Sequence, residues 1–189
     1  MRVIAGRFRS RRLQSLPGMD IRPTSDRLRE TLFDILTAGN PAALEGSVWV
    51  DLYAGTGAVG IEALSRGAAM AYFVESAPDA ADLIRKNLST LGIKAGFQVL
   101  RQDAVRALQA WDKSGIRADF VFLDPPYRME AAYAQGLTIL SNSALLLPET
   151  IVMVEHQEKF DPGEQVASLQ RDRRLKQGDA ALSFYRRAG

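Results

Sequence analysis

Asp124-Pro125-Pro126-Tyr127 is the stretch of this chain whose residue types could do chemistry most directly. It follows an apolar run, Phe120-Val121-Phe122-Leu123, that reads as a buried parallel strand. Neither proline can donate to a sheet ladder, so the backbone must leave the sheet here, and stiffly. Ligands of open α/β sheets gather at that C-terminal edge of the strands. A carboxylate, a rigid carbonyl and an aromatic ring held there suit the grip of a planar group bearing an NH2. Asp124 and the Pro125 carbonyl would accept its two N–H bonds, and Tyr127 would cover its face. The plainer reading of the tetrapeptide is a proline-stiffened strand exit with a surface aspartate and a rim aromatic.

A second motif supplies context. Val48-Trp49-Val50-Asp51-Leu52-Tyr53 reads as a strand, Ala54-Gly55-Thr56-Gly57-Ala58-Val59-Gly60 as a turn, and Ile61-Glu62-Ala63-Leu64 as the start of a helix. Strand, glycine turn and helix make the βα unit of nucleotide-binding folds. Gly55, Gly57 and Gly60 also satisfy the spacing of a dinucleotide site, so NAD is a competing ligand. Asp51 at the strand end argues against it, because a pyrophosphate above the turn would be repelled. The same carboxylate suits a cationic ligand carrying an ammonium and a sulfonium, or else caps local backbone N–H groups. Glu75 ends the next strand, Ala71-Tyr72-Phe73-Val74, at the spacing of an acid that reaches ribose hydroxyls. After a third strand, Phe97-Gln98-Val99-Leu100, Asp103 could accept from an adenine amino group or cap the helix starting at Ala104.

In order and type, these motifs resemble those of class I S-adenosylmethionine-dependent methyltransferases. The D-P-P-Y form marks the members that methylate exocyclic or amide nitrogens. Arg2-Val3-Ile4-Ala5-Gly6-Arg7, Arg22-Pro23-Thr24-Ser25-Asp26-Arg27, Arg29-Glu30 and Phe33 further resemble the RsmD family. That resemblance spans the chain with no large insertion. It implies methylation of the N2 amino group of a guanine in 16S rRNA, within the 30S subunit or its precursor. It implies S-adenosylmethionine held by Asp51, Tyr53, Ala54, Gly55, Gly57, Glu75, Ser76, Asp103, Ala104 and Asp124, with no metal. Asp124, Pro125, Pro126 and Tyr127 would be catalytic. RNA contact is expected from Arg2, Arg7, Arg9, Arg11, Arg12, Arg22, Thr24 and Arg29. For Arg29 a plain helix-surface charge is the alternative. Adenine N6, a protein amide, or an NAD-dependent reaction are the competing functions.

The rest of the chain must position these groups. At 189 residues, one α/β domain is expected. Residues 23–189 would form it, behind a basic extension, 1–22, read as a hairpin. The implied fold is Rossmann-like: a mostly parallel seven-stranded sheet, helices on both faces, and a C-terminal antiparallel hairpin around Gly178. A helix begins near Thr24 to Asp26, with Leu28, Leu32, Ile35 and Leu36 as its apolar stripe. Pro78 opens another, Ala104 to Trp111 and Ala131 to Leu140 form two more, and Ile151 to Val154 is the fifth strand.

There is no cysteine, which removes disulfides and thiolate metal sites, and a single histidine, His156, is expected as a strand-end polar residue. Lys and Arg number 24 against 22 acids, but the bases are clustered. Five arginines precede the first acid, Asp20, and Arg171, Arg173, Arg174, Lys176, Arg186 and Arg187 lie near the end. Arginine-rich clusters favour bidentate phosphate contact. With no apolar leader and no run long enough to span a bilayer, a cytoplasmic protein is expected, and a monomer is the default.

Overall fold

The computed structural model describes residues 1–15 and 25–188. They fall into two compact units, Met1–Gln102 and Asp103–Gly189.

In the first unit, β1 (Val48–Leu52), β2 (Met70–Val74) and β3 (Phe97–Leu100) are parallel, in the order β3-β2-β1. Trp49, Val50 and Leu52 have no solvent-exposed surface, as expected of a strand covered on both faces. Helix α1 (Asp26–Thr37) starts where Ser25 accepts a hydrogen bond from the Leu28 amide at 3.1 Å. It buries Leu28, Leu32, Phe33 and Leu36 at helical spacing, and Phe33 stacks on Trp49 with ring centroids 5.2 Å apart. Helices α2 (Ala58–Ser65) and α3 (Pro78–Thr90) follow β1 and β2. Pro78 occupies the first turn of α3, where its missing N–H costs nothing.

Residues 1–15 do not stand apart as a separate extension. They fold back as a hairpin-like loop, with an antiparallel bridge between Arg2 and Arg12 and a 3-10 turn at Gly6–Phe8. Val3 and Leu13 are buried in the first unit. The remainder of the expected 1–22 segment, residues 16–22, lies outside the described residues.

The second unit holds β4 (Ala118–Leu123), β5 (Leu146–Gln157), β6 (Gln165–Val166), β7 (Leu169–Gln177) and β8 (Ala180–Arg187), in the order β4-β5-β8-β7-β6. β4 and β5 are parallel, and the β5–β8, β8–β7 and β7–β6 pairs are antiparallel. Gly178, at φ +64°, makes the turn of the expected C-terminal hairpin. Helices α4 (Ala104–Trp111) and α5 (Glu130–Asn142) complete the unit.

The described strands therefore number eight rather than seven. The additional one, β6, is two residues pairing across a tight turn at Ala167, too short to carry any periodic signal. β5 is likewise longer than the apolar core of its sequence, because Leu146 and the polar residues before Ile151 also join it.

Candidate active site

The chemistry-bearing residues sit at the ends of β1 and β2 in the first unit and of β4 in the second. At the end of β1 the chain turns sharply. Tyr53, Gly55 and Gly57 have φ of 64°, 55° and 79°, and Gly57 caps α2 in the left-handed conformation. A side chain at Gly60 would meet the Phe73 ring at 2.4 Å, so this glycine lets α2 lie directly on β2.

Asp51 is 1% exposed and accepts a hydrogen bond from the Gly60 amide at 2.9 Å. Burial pushes its carboxyl up to about 7; the Gly60 bond opposes that shift and the charge of Glu75 adds to it. Glu75 accepts from the amide of Gly55 at 2.9 Å through one oxygen and from the amide of Ala77 at 2.8 Å through the other. It thus ties the end of β2 to the glycine turn, and Ser76, which follows it, is exposed. Ala54 is anchored by its amide to the Val74 carbonyl at 2.9 Å. Asp51, Ala54, Gly55 and Glu75 are therefore brought together around one turn.

Asn87 on α3 also holds this turn. Its amide donates to the Thr56 carbonyl at 3.0 Å and to the Gln14 carbonyl at 3.1 Å, and its oxygen accepts from the Gln14 amide at 2.8 Å. The sequence signal was an asparagine inside the apolar face Leu83, Ile84, Leu88. Its meaning depended on a loop more than seventy residues away.

In the second unit β4 ends at Leu123, and Asp124 to Tyr127 follow. Pro125 is buried, Asp124 and Tyr127 are half-buried, and Pro126 is exposed. The Pro125 carbonyl accepts a hydrogen bond from the Tyr133 hydroxyl at 3.2 Å, and the Pro126 carbonyl accepts from the Met129 amide at 2.7 Å. Tyr133, 1% exposed, stands on α5 with its ring 4.9 Å from Phe160. Gly136 admits α5 against Leu123. Tyr133 is a residue that the sequence reading missed. Asp103 caps α4, its Oδ1 accepting from Val105 at 2.9 Å and Arg106 at 3.3 Å, with Ala104 buried behind it.

Arg2, Arg7, Arg9, Arg11 and Arg12 are all exposed on the N-terminal loop. Arg22 and Thr24 lie outside the described residues. Arg29 is neither a surface charge nor placed to meet RNA, being fully buried. It pairs with Asp26 at 3.0 Å and with Glu62 at 3.8 Å, and it donates to the Arg2 carbonyl. The helical stripe itself misled, because position 29 follows Leu28 onto the covered face.

The C-terminal arginines are largely engaged within their own unit. Arg171 pairs with Asp161 at 2.6 Å, Arg186 with Asp172 at 3.0 Å, and Arg187 donates to the Ser143 and Leu146 carbonyls at 2.6 and 3.0 Å. His156 is buried between the Gln157 carbonyl and the Ser183 hydroxyl, and burial holds its pKa below the usual range. No group of three metal-ligating side chains occurs among the described residues. No helix among them is long and apolar enough to cross a membrane.

A family model described as "Conserved hypothetical protein 95" matches residues 1–186. Ribosomal RNA small subunit methyltransferase D of Escherichia coli strain K12 is 33% identical over 188 residues, covering 99% of this chain and 90% of the relative. The chain belongs to the RsmD family. Another RsmD relative, YlbH of Bacillus subtilis strain 168, named as a candidate rRNA methyltransferase, is 34% identical over 189 residues and the full length of both chains. The solved structure of yhhF from Escherichia coli, a candidate methyltransferase, superposes with a TM-score of 0.82 at 32% identity, covering 100% of this chain and 98% of that one. The RsmD fold is thus Rossmann-like, with a mixed sheet, a mostly parallel core and a C-terminal antiparallel hairpin.

Proposed function

We propose that this RsmD-family protein transfers a methyl group from S-adenosylmethionine to the exocyclic N2 amino group of a guanine in 16S rRNA, acting as a monomer on the 30S subunit or its precursor. The observation that carries this reading is the Asp124-Pro125-Pro126-Tyr127 strand exit, whose Pro125 carbonyl is oriented by Tyr133.

The residues at the glycine turn fit the adenosyl cofactor better than a dinucleotide. Two acids, Asp51 and Glu75, flank the turn, and Asp51 is buried with a raised carboxyl pKa. A nearby ammonium or sulfonium would stabilise its charge, whereas a pyrophosphate would oppose it. Glu75 retains acceptor capacity on both oxygens for ribose hydroxyls. Tyr53, Ala54, Gly55 and Gly57 at that turn, and Ser76 next to Glu75, would hold the cofactor, and Asp103 and Ala104 would meet its adenine. Such a cofactor supplies a methyl group already carried on an excellent leaving group.

What remains for the chain is alignment. Guanine N2 is a poor nucleophile because its lone pair is delocalised into the ring. Asp124 and the Pro125 carbonyl each accept one amino proton, which favours a pyramidal nitrogen. Positioning of this kind supplies roughly 7–11 kcal/mol of barrier lowering. The Asp124 carboxylate stabilises the positive charge that develops on nitrogen, and the surplus proton then leaves to water. Tyr127 stacks on the base once it is unstacked from its neighbours, and Pro126 stiffens the turn. No histidine or metal is needed.

The test is transfer of labelled methyl into under-methylated 30S subunits, beside naked 16S rRNA, DNA and protein controls, with Asp124→Ala in parallel. Label recovered as N2-methylguanine and lost in the variant is the expected result. Label in adenine or in protein would overturn the substrate. No label anywhere, with a thermal shift from NAD and none from S-adenosylhomocysteine, would overturn the reaction.

A further inference from the structure

The N-terminal loop carries a basic groove at the end of α2 away from the glycine turn. The loop runs along α2 and α3. Its outgoing limb is held by α2: the Ile4 and Ala5 amides donate to Glu62 at 2.8 and 2.9 Å, and the Phe8 amide to the Ser65 hydroxyl at 2.9 Å. Its returning limb meets α3, where Arg11 donates to the Thr90 carbonyl at 3.1 Å and the Gln14 amide to Asn87 at 2.8 Å. Ser65 is the last residue of α2, which starts at the glycine turn, so the tip of the loop lies at the other end of that helix. The length of α2 puts the two roughly 12 Å apart.

At that end Arg7, Phe8, Gly92, Ile93, Lys94 and Ala95 line a groove of about 340 Å³. No carboxylate is among them. Arg7 and Lys94 are exposed, and the Arg7 guanidinium lies 4.5 Å from the centre of the Phe8 ring. Arg9 and Arg11 extend the positive surface along the same loop. The loop beside the groove is closely packed. A side chain at Gly6 would collide with the Ser65 backbone at 1.9 Å, so Gly6 seats the loop directly on the end of α2. Two cations and an aromatic ring lining one groove suit the phosphates and bases of single-stranded nucleic acid.

We infer that the groove of Arg7, Phe8 and Lys94 grips the sugar-phosphate chain of the substrate RNA at nucleotides flanking the methylated one. This rests on the RNA reading above and deepens it. The site contributes affinity and register rather than chemistry, since phosphate contacts position a protein on nucleic acid without reading its sequence.

The test compares Arg7→Ala, Lys94→Ala and Phe8→Leu with wild type and with Lys113→Ala, an exposed lysine on the other unit. Binding to naked 16S rRNA is measured over a range of salt, with methyl transfer and S-adenosylhomocysteine affinity alongside. The expected result is an RNA KM raised about fivefold or more, kcat nearly kept, and cofactor affinity unchanged. The slope of log affinity against log salt should shrink by about one for each cation removed, and not in Lys113→Ala. Unaltered RNA affinity and salt slope in Arg7→Ala and Lys94→Ala, in a wild type that does methylate rRNA, would overturn the inference. So would a loss seen only with assembled 30S particles, which would assign the groove to a ribosomal protein. Absence of RNA methylation by the wild type would instead count against the proposed function.

Discussion

The hydroxyl of Tyr133 donates to the carbonyl of Pro125 at 3.2 Å, joining the first turn of α5 to the strand exit after β4. A carbonyl oxygen has two acceptor positions, and Tyr133 occupies one. The other is the one that the proposed mechanism assigns to a substrate N–H. Because proline fixes φ, and Tyr133 fixes the plane of the following peptide, the direction of that second position is set before any substrate arrives. Phe160 packs on the Tyr133 ring and holds it there.

Tyr133→Phe keeps the ring and removes this bond. The expected cost is about 1 kcal/mol of stability, read from chemical denaturation. Methyl transfer should fall about three- to tenfold in kcat, with little change in the KM for S-adenosylmethionine. A purely structural role would lower the melting temperature and leave kcat per folded enzyme intact.

Much of this architecture was legible in the sequence. The glycine turn and the double proline are local signals, because each forces a backbone event at a fixed residue. The strands of the parallel core were readable as short, mostly apolar runs. What escaped was long-range and polar. Nothing next to Tyr133 indicates that it reaches Pro125, and nothing next to Arg29 indicates that it is buried against Glu62. An arginine on a helix is ordinarily solvated, and only the fold reveals the carboxylate, carbonyl and N-terminal loop that enclose this one. The two-residue strand β6 escaped for a different reason, since its pairing is set by a turn rather than by its own residues.

Asp51 gives the protein a pH dependence of definite sign. Its folded-state pKa, about 7, lies above the ordinary carboxylate value, 3.8. Between those values the folded protein binds more protons than the unfolded chain, so this group makes stability fall as pH rises through the window. Asp51→Asn keeps an acceptor for the Gly60 amide and removes the titration. Melting curves from pH 4 to 8 should show wild type losing stability relative to the variant. A saturating cationic cofactor should reduce that loss and release a proton near neutral pH. Parallel pH profiles for wild type and variant would refute the assignment.

Gly60 is where the glycine turn meets the sheet. Gly60→Ala would place a methyl 2.4 Å from the Phe73 ring, and overpacking of this kind costs about 1–3 kcal/mol. The glycine also donates to Asp51, so a displaced α2 weakens that bond as well. Phe73→Leu in the same chain should recover part of the loss. The double-mutant cycle in denaturant measures it, with a coupling well above 0.5 kcal/mol expected.

Glu62 is the buried junction between the N-terminal loop and α2. It has no exposed surface, and it accepts from the amides of Ile4 and Ala5 while pairing with Arg66 at 2.8 Å and Arg29 at 3.8 Å. Burial lowers the proton affinity of Arg29, and Glu62 is the strongest influence opposing that. Glu62→Gln keeps the shape but offers an NH2 where a carboxylate oxygen stood, and it leaves the buried Arg29 with Asp26 as its remaining acid. Removing one partner of a buried pair costs about 3–5 kcal/mol. The amide hydrogens of Ile4 and Ala5 should lose protection against exchange before those of β1 and β2 do. The RNA groove should weaken with them, because its tip is seated through the same loop. Exchange rates at Ile4 and Ala5 that match wild type would show that the loop is held without Glu62.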